Sequence, residues 1–119
     1  MYAHWKGKTL AEERAQITGH SVEHGHVGYL REAYDGEPYA LEYLVPEAFE
    51  RDTEIPAALM RSRLAQVLRI AAKRQATVYH RLADDEATKE ALKSFADFVD
   101  LCERKERETG KPCCISVCS

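Results

Sequence analysis

The sequence predicts a mainly α fold in which a long antiparallel helical hairpin forms the C-terminal half. Residues 57–82 contain neither glycine nor proline, and their apolar residues recur at spacings of three and four. Residues 86–108 repeat this pattern. Such spacing lines apolar side chains along one face of a helix. Because only a short connection separates the two segments, we expect their helices to be antiparallel neighbours.

The first helix of the hairpin is expected to follow Thr53-Glu54-Ile55-Pro56. Pro56 fits the first turn of a helix, where its missing N–H removes no hydrogen bond. The predicted helix extends to about residue 82. Its apolar stripe consists of Met60, Leu64, Val67, Leu68, Ala71, Val78, Tyr79 and Leu82.

The second helix is expected to begin at a cap formed by Asp84 or Asp85, with Glu86 favourable in the first turn. Gly110 and Pro112 mark its end, because glycine readily closes a helix and proline does not continue one. Its apolar stripe consists of Ala91, Leu92, Phe95, Phe98, Val99 and Cys102.

The N-terminal half is predicted to be a smaller segment, for which two structures remain open. Residues 9–12 (TLAE) have the form of a capping box and predict a short helix to about Ile17. Residues 26–46 fit further short helices, with Gly36 closing one and Pro38 opening the next. They also fit a β-hairpin with its turn at Asp35-Gly36, because the residues after the turn alternate in polarity. The alternating residues are Tyr39, Leu41, Tyr43 and Val45.

Length and composition describe one soluble domain. A chain of 119 residues has the usual size of a single domain. Residues 1–112 are therefore assigned to one helical domain and residues 113–119 to a Cys-rich C-terminal tail. No apolar run is long enough to cross a membrane, and the N-terminus lacks the apolar core of a signal peptide. The predicted location is the cytoplasm, where cysteines are mostly reduced.

Three of the five histidines, His20, His24 and His26, lie in the stretch GHSVEHGH. Imidazoles at close spacing suit zinc or another transition metal, so these three are the candidate metal ligands. The alternative is a solvated polar turn. Tyr2-Ala3-His4 followed by His20-Ser21 resembles the opening of HD-type metal-dependent phosphohydrolases. The His-Asp dipeptide that defines that family is absent, so its activity is not carried over.

The tail contains Cys113, Cys114 and Cys118, which are the candidate thiol or redox residues. Reduced thiols near one another can bind a soft metal ion or respond to oxidants. The alternative is that they pack against the helices as small apolar side chains. Cys102 lies on the apolar stripe of the second helix and is assigned to the core.

A basic block lies between two acidic ones. Residues 55–83 carry 6 basic and no acidic side chains, whereas residues 1–54 carry 5 and 11, and residues 84–119 carry 6 and 9. Such a block can bind a phosphate backbone, or it can pair with acidic side chains of the same chain. Residues 70–82 (IAAKRQATVYHRL) resemble the recognition helix of bacterial helix-turn-helix repressors, although the usual preceding glycine turn is absent. The candidate nucleic-acid contacts are Arg63, Arg69, Lys73, Arg74 and Arg81.

No common catalytic motif occurs in the sequence, which does not favour an enzyme. The predicted function is protein–protein interaction, with self-association into a homodimer, because a hairpin this long leaves apolar surface uncovered by so short a chain. The partner would be a second copy or another protein, and no membrane is involved. Two alternatives stay open: a metal- or thiol-dependent protein, with zinc or another transition metal as cofactor, and a DNA-binding regulator.

Overall fold

Two long helices and a four-stranded antiparallel sheet make up the part of the chain that is described. The computed structural model describes residues 2–4, 26–30, 32–33 and 35–117, with residues 2–4 and 26–29 described through their backbone. The elements in chain order are β1 (Tyr2–His4), β2 (His26–Tyr29), α1 (Leu41–Leu44), a 3-10 turn (Pro46–Ala48), β3 (Thr53–Ile55), α2 (Ala57–Thr77), α3 (Glu86–Thr109) and β4 (Cys113–Ser116). The strand order in the sheet is β2-β1-β4-β3.

The two long helices confirm the prediction that the fold is mainly α, and they pack against each other. The backbone N–H of Ala57, the first residue of α2, donates to Glu106 Oε2 near the end of α3 at 3.2 Å. Arg61, one turn further along α2, pairs with Glu103 and Asp100 of α3. The start of α2 therefore lies beside the end of α3.

The helix limits lie close to those expected from the sequence. Pro56 precedes α2, and Gly110 follows α3 in the left-handed conformation with φ 72°. Asp85 occupies the N-cap position of α3, but its carboxylate accepts the backbone N–H of Leu82 and makes no hydrogen bond to the first turn of the helix. The main difference is the end of α2, which lies at Thr77 instead of near residue 82. His80 has a φ of 54°, which is incompatible with a continuing right-handed helix.

A four-stranded sheet was not expected from the sequence, which offered at most a β-hairpin within residues 26–46, and it includes residues 113–116 of the segment assigned to a tail. Residues 113–116 form β4, which pairs with β1 on one side and with β3 on the other. Cys113 and Ile115 of this strand are 2% and 0% exposed. A strand of four residues with alternating apolar side chains carries too little pattern to be recognised without its partners.

Neither structure predicted for residues 26–46 is correct over the whole segment. Residues 26–29 form a strand, but it pairs with β1 and not with residues 39–45. Residues 41–44 form the short helix α1, as the helical alternative predicted after Pro38. The helix predicted for residues 9–17 lies outside the described residues.

The core lies where α1, α2, α3 and the inner face of the sheet meet. Met60, Leu64, Val67 and Ala71 of the α2 stripe are between 0% and 8% exposed. The chain itself covers this part of the stripe, whereas Leu82 at its far end is 70% exposed. Uncovered stripe was the reason for predicting a dimer. Within the described ranges, no helix is long and apolar enough to cross a membrane.

Candidate metal centre

One row of residues across the sheet contains four residues of types that bind metal ions. His26 of β2 lies opposite His4 of β1, His4 lies opposite Cys114 of β4, and Cys114 lies opposite Glu54 of β3. Residues directly opposite each other on antiparallel strands share one face of the sheet. The register thus collects two histidines, a cysteine and a glutamate in one line.

This row lies on the face of the sheet away from α3. Cys113 and Ile115, the neighbours of Cys114 in β4, are buried. The thiol of Cys113 contacts that of Cys102 in α3, with the two Sγ atoms 3.6 Å apart. Because successive residues of a strand alternate between faces, Cys114 and the residues opposite it belong to the other face.

An irregularity in the pairing of β1 with β2 brings the two histidines into register. Ala3 lies opposite Gly28, but the next residue, His4, lies opposite His26. The extra residue, Val27, is characteristic of a β-bulge. Regular pairing would have placed Val27 opposite His4 and moved His26 out of the row. Bulges are frequent beside functional sites because they change which side chain a strand presents at a given position.

The spacing of strands determines which members of the row one ion can join. Neighbouring strands are about 4.8 Å apart, so three adjacent positions span about 10 Å and all four span about 14 Å. Zinc–ligand bonds are about 2.0–2.3 Å long, so one ion can serve three adjacent positions but not both ends of the row. His26, His4 and Cys114 are three adjacent positions, and together they offer one imidazole nitrogen from each histidine and one sulfur. Glu54, next to Cys114, is then the candidate for a fourth or supporting ligand.

The register, which is a property of the backbone, is the basis of this site. Among the residues whose side chains are described, no group of three His, Cys, Asp or Glu side chains is arranged to hold a metal ion.

The predicted metal ligands His20, His24 and His26 are not brought together by any described contact. His26 lies in β2, whereas His20 and His24 lie outside the described residues. The structure instead relates His26 to His4 and Cys114, which are distant in sequence.

The predicted thiol residues are separated between the two faces of β4. Cys113 is buried against Cys102, Cys114 belongs to the row, and Cys118 lies outside the described residues. A hydrogen bond with Cys113 and burial raise the pKa of the Cys102 thiol far above its usual range. Cys102, Cys113 and Cys114 form no disulfide with one another.

The predicted nucleic-acid contacts do not form one exposed surface. Arg63 pairs with Glu47 at 2.6 Å, which raises the pKa of Arg63. Arg81 donates to Gln75 at 2.8 Å and stacks on the Tyr79 ring. Arg74 is 3% exposed and lies within the protein. Three of the five, Arg69, Lys73 and Arg81, are exposed.

Sequence reasoning missed His4 and Glu54 as members of a site. His4 has no other potential ligand nearby in the sequence, and Glu54 has only the carboxylates of Glu50 and Asp52. Each of the two belongs to a strand of three residues. Only the pairing of β1 and β3 with β4 relates them, and that pairing joins distant parts of the sequence.

No family model matches this chain, and neither a curated protein nor a solved structure shows significant similarity to it.

Proposed function

We propose that this protein binds one transition-metal ion, with zinc as the best match, through His26, His4 and Cys114. The observation that supports this proposal is the register, which aligns these residues on three neighbouring strands. Imidazole nitrogen and thiolate sulfur are ligands that zinc favours, and zinc also accepts a carboxylate such as that of Glu54.

The role that suits such an ion is structural. An ion bound by β2, β1 and β4 would join three strands of only three or four residues each. Short strands provide few ladder hydrogen bonds, so a shared ion adds a substantial stabilising interaction. Because the unfolded chain does not hold these ligands together, metal binding is coupled to folding.

The first experiment measures metal binding to the protein purified without a tag and without chelator. Native mass spectrometry is expected to give one zinc ion per chain, and Co²⁺ substitution to give the charge-transfer absorption of a thiolate ligand. Zinc at about 100 times its dissociation constant should stabilise the fold by about 2.7 kcal/mol, which thermal unfolding detects.

Variants identify the ligands. His4→Ala and Cys114→Ser are each expected to reduce zinc affinity at least tenfold and to reduce the stabilisation by zinc. His80→Asn provides a matched control, because His80 lies in the α2–α3 connection and asparagine tolerates its positive φ. Unchanged zinc affinity in both His4→Ala and Cys114→Ser would exclude this site. Loss of binding only in His20→Ala and His24→Ala would assign the metal to the segment around residues 20–24.

Self-association remains a second candidate function. Among the residues whose side chains are described, four large apolar ones stay exposed, namely Tyr43 (42%), Phe49 (38%), Leu59 (38%) and Leu82 (70%). A dimer that covers any of them would give a melting temperature that rises with protein concentration. A monomeric mass at all concentrations together with a constant melting temperature would remove this candidate.

A further inference from the structure

We propose that Cys102 and Cys113 are a disulfide site that joins α3 to β4 when the protein folds in the presence of a small disulfide such as oxidised glutathione. The supporting observation is the direct contact of the two thiols, in which Cys113 donates a hydrogen bond to Cys102 Sγ at 3.6 Å. This disulfide does not involve the proposed metal site or its ligands, because Cys113 and Cys114 belong to opposite faces of β4.

The two sulfur atoms are in van der Waals contact within an otherwise apolar core. A disulfide bond is about 2.05 Å long, so the sulfur atoms must approach by about 1.5 Å. Cys102 is 1% exposed and Cys113 is 2% exposed. Between them lie only the last turns of α3 and the connection through Gly110 to β4. The bond would therefore close a short loop between elements that are already in contact.

The same burial makes the pair resistant to reaction in the folded protein. The attacking species in thiol–disulfide exchange is the thiolate. The raised pKa of Cys102 keeps that thiol protonated at neutral pH. Its 1% exposure also shields it from dissolved oxidants while β4 is docked. Reaction is expected during folding or after local opening of β4, when the thiols meet solvent before they pack together.

The exchange with oxidised glutathione balances without another reactant. The thiolate of one cysteine attacks one glutathione sulfur, breaks the glutathione disulfide and releases one glutathione thiolate, which takes up a proton. The second protein thiol loses its proton and attacks the mixed disulfide, releasing the second glutathione. Two protein thiols are oxidised by two electrons, and one glutathione disulfide is reduced to two thiols.

The bond is expected to stabilise the fold, because it restricts the unfolded chain and joins two side chains that already pack together in the core. For a loop of this size, the melting temperature of the oxidised protein should exceed that of the reduced protein by roughly 5–15 °C. Since β4 is an inner strand of the sheet, its opening should become slower in the oxidised form.

The test refolds the reduced, denatured protein in a glutathione redox buffer, so that burial does not prevent oxidation. Free thiols are then blocked, and the protein is digested with trypsin. Arg104, Lys105 and Arg107 lie between the two cysteines, so Cys102 and Cys113 fall on separate peptides unless a disulfide joins them. The expected result is a linked pair of peptides that a reductant separates.

Two variants assign the bond among the cysteines. Cys114→Ser/Cys118→Ser leaves only the proposed pair and should form the same linked peptides and the same gain in melting temperature. Cys113→Ala, with its folding verified by circular dichroism, should form no link to Cys102. The proposal is overturned if wild type refolded in oxidised glutathione contains no such link, if the link persists in Cys113→Ala, or if the linked protein melts below the reduced one.

Discussion

A single buried arginine connects the end of α2 to the segment between β2 and α1. Arg74 donates to the carbonyl oxygens of Ala33, Gly36 and Pro38, the last at 3.0 Å. Its guanidinium also lies 4.8 Å from the centre of the Tyr39 ring. All of these acceptors belong to an irregular segment that has no ladder of its own. Arg74 therefore provides hydrogen-bond donors that this part of the backbone would otherwise lack.

The carboxylate of Glu32 completes this interaction. It lies 3.7 Å from Arg74 Nε and accepts the backbone N–H groups of Ala40 and Leu41 at 2.8 and 3.1 Å. Burial nevertheless raises the pKa of Glu32, because the loss of hydration outweighs these favourable contacts. The fold therefore keeps Glu32 and Arg74 together although burying their charges costs desolvation free energy.

Removing one partner of this pair should be strongly destabilising. Arg74→Met is expected to lower the free energy of unfolding by about 3–5 kcal/mol, because it leaves a buried carboxylate and several carbonyls without donors. Urea unfolding at pH 7 measures this loss. Arg69→Met on the exposed part of the same helix is the control, with an expected change within about 0.5 kcal/mol. A similar, small change in both variants would show that Arg74 has no such role.

The pH dependence of stability should reveal the raised pKa of Glu32. Because this pKa is raised on folding, the folded protein binds the carboxyl proton of Glu32 more tightly than the unfolded chain does. The resulting contribution to stability is fully present below the ordinary pKa near 4.5 and is lost as the pH rises through the raised pKa. Urea unfolding over this range should therefore show Glu32→Gln becoming more stable relative to wild type as the pH increases.

Glu47 provides the opposite case. A hydrogen bond from Arg63 lowers the pKa of Glu47. The contribution of Glu47 to the stability of the fold is therefore present above about pH 4.5 and is lost as the pH falls through the lowered pKa. Glu47→Gln should accordingly become more stable relative to wild type as the pH decreases. Equal pH trends for Glu32→Gln and Glu47→Gln would contradict the assignment of both shifts.

At the scale of elements, the ends of the long helices could be predicted because local residues determine them. Pro56, Asp85 and Gly110 each act within one turn of the helix end that they mark. The strands could not be predicted in this way, since each has three or four residues and is defined by its partners. The same reason explains the candidate site, where His26 and Cys114 were recognised individually but not as neighbours.

The end of α3 offers a direct test of this local control. Gly110→Ala should reduce the free energy of unfolding by about 1 kcal/mol, because alanine disfavours the left-handed conformation found there. No atom lies within 4 Å of the position that a Cβ would occupy, so the cost is conformational and not steric. Gly110→Asn, measured in the same urea unfolding experiment, should cost less. An alanine variant as stable as wild type would argue against this cap.

At the scale of the whole molecule, the inner position of β4 makes residues 113–116 necessary for the fold. A chain that ends after Pro112 should lose cooperative urea unfolding, because β1 and β3 lose their common partner and Ile115 leaves the core. A chain that ends after Val117 retains β4 and should unfold as the full chain does. Cooperative unfolding of the shorter chain with unchanged stability would show that β4 is dispensable.

The order of synthesis on the ribosome gives this arrangement a further consequence. Residue 2 pairs with residue 116, so β1 emerges long before the strand that it needs. Both long helices can form and meet while β1 and β3 still expose unpaired backbone groups at their edges. Such edges favour pairing with other chains. The nascent protein is therefore most exposed to aggregation in the interval between the emergence of β3 and that of β4.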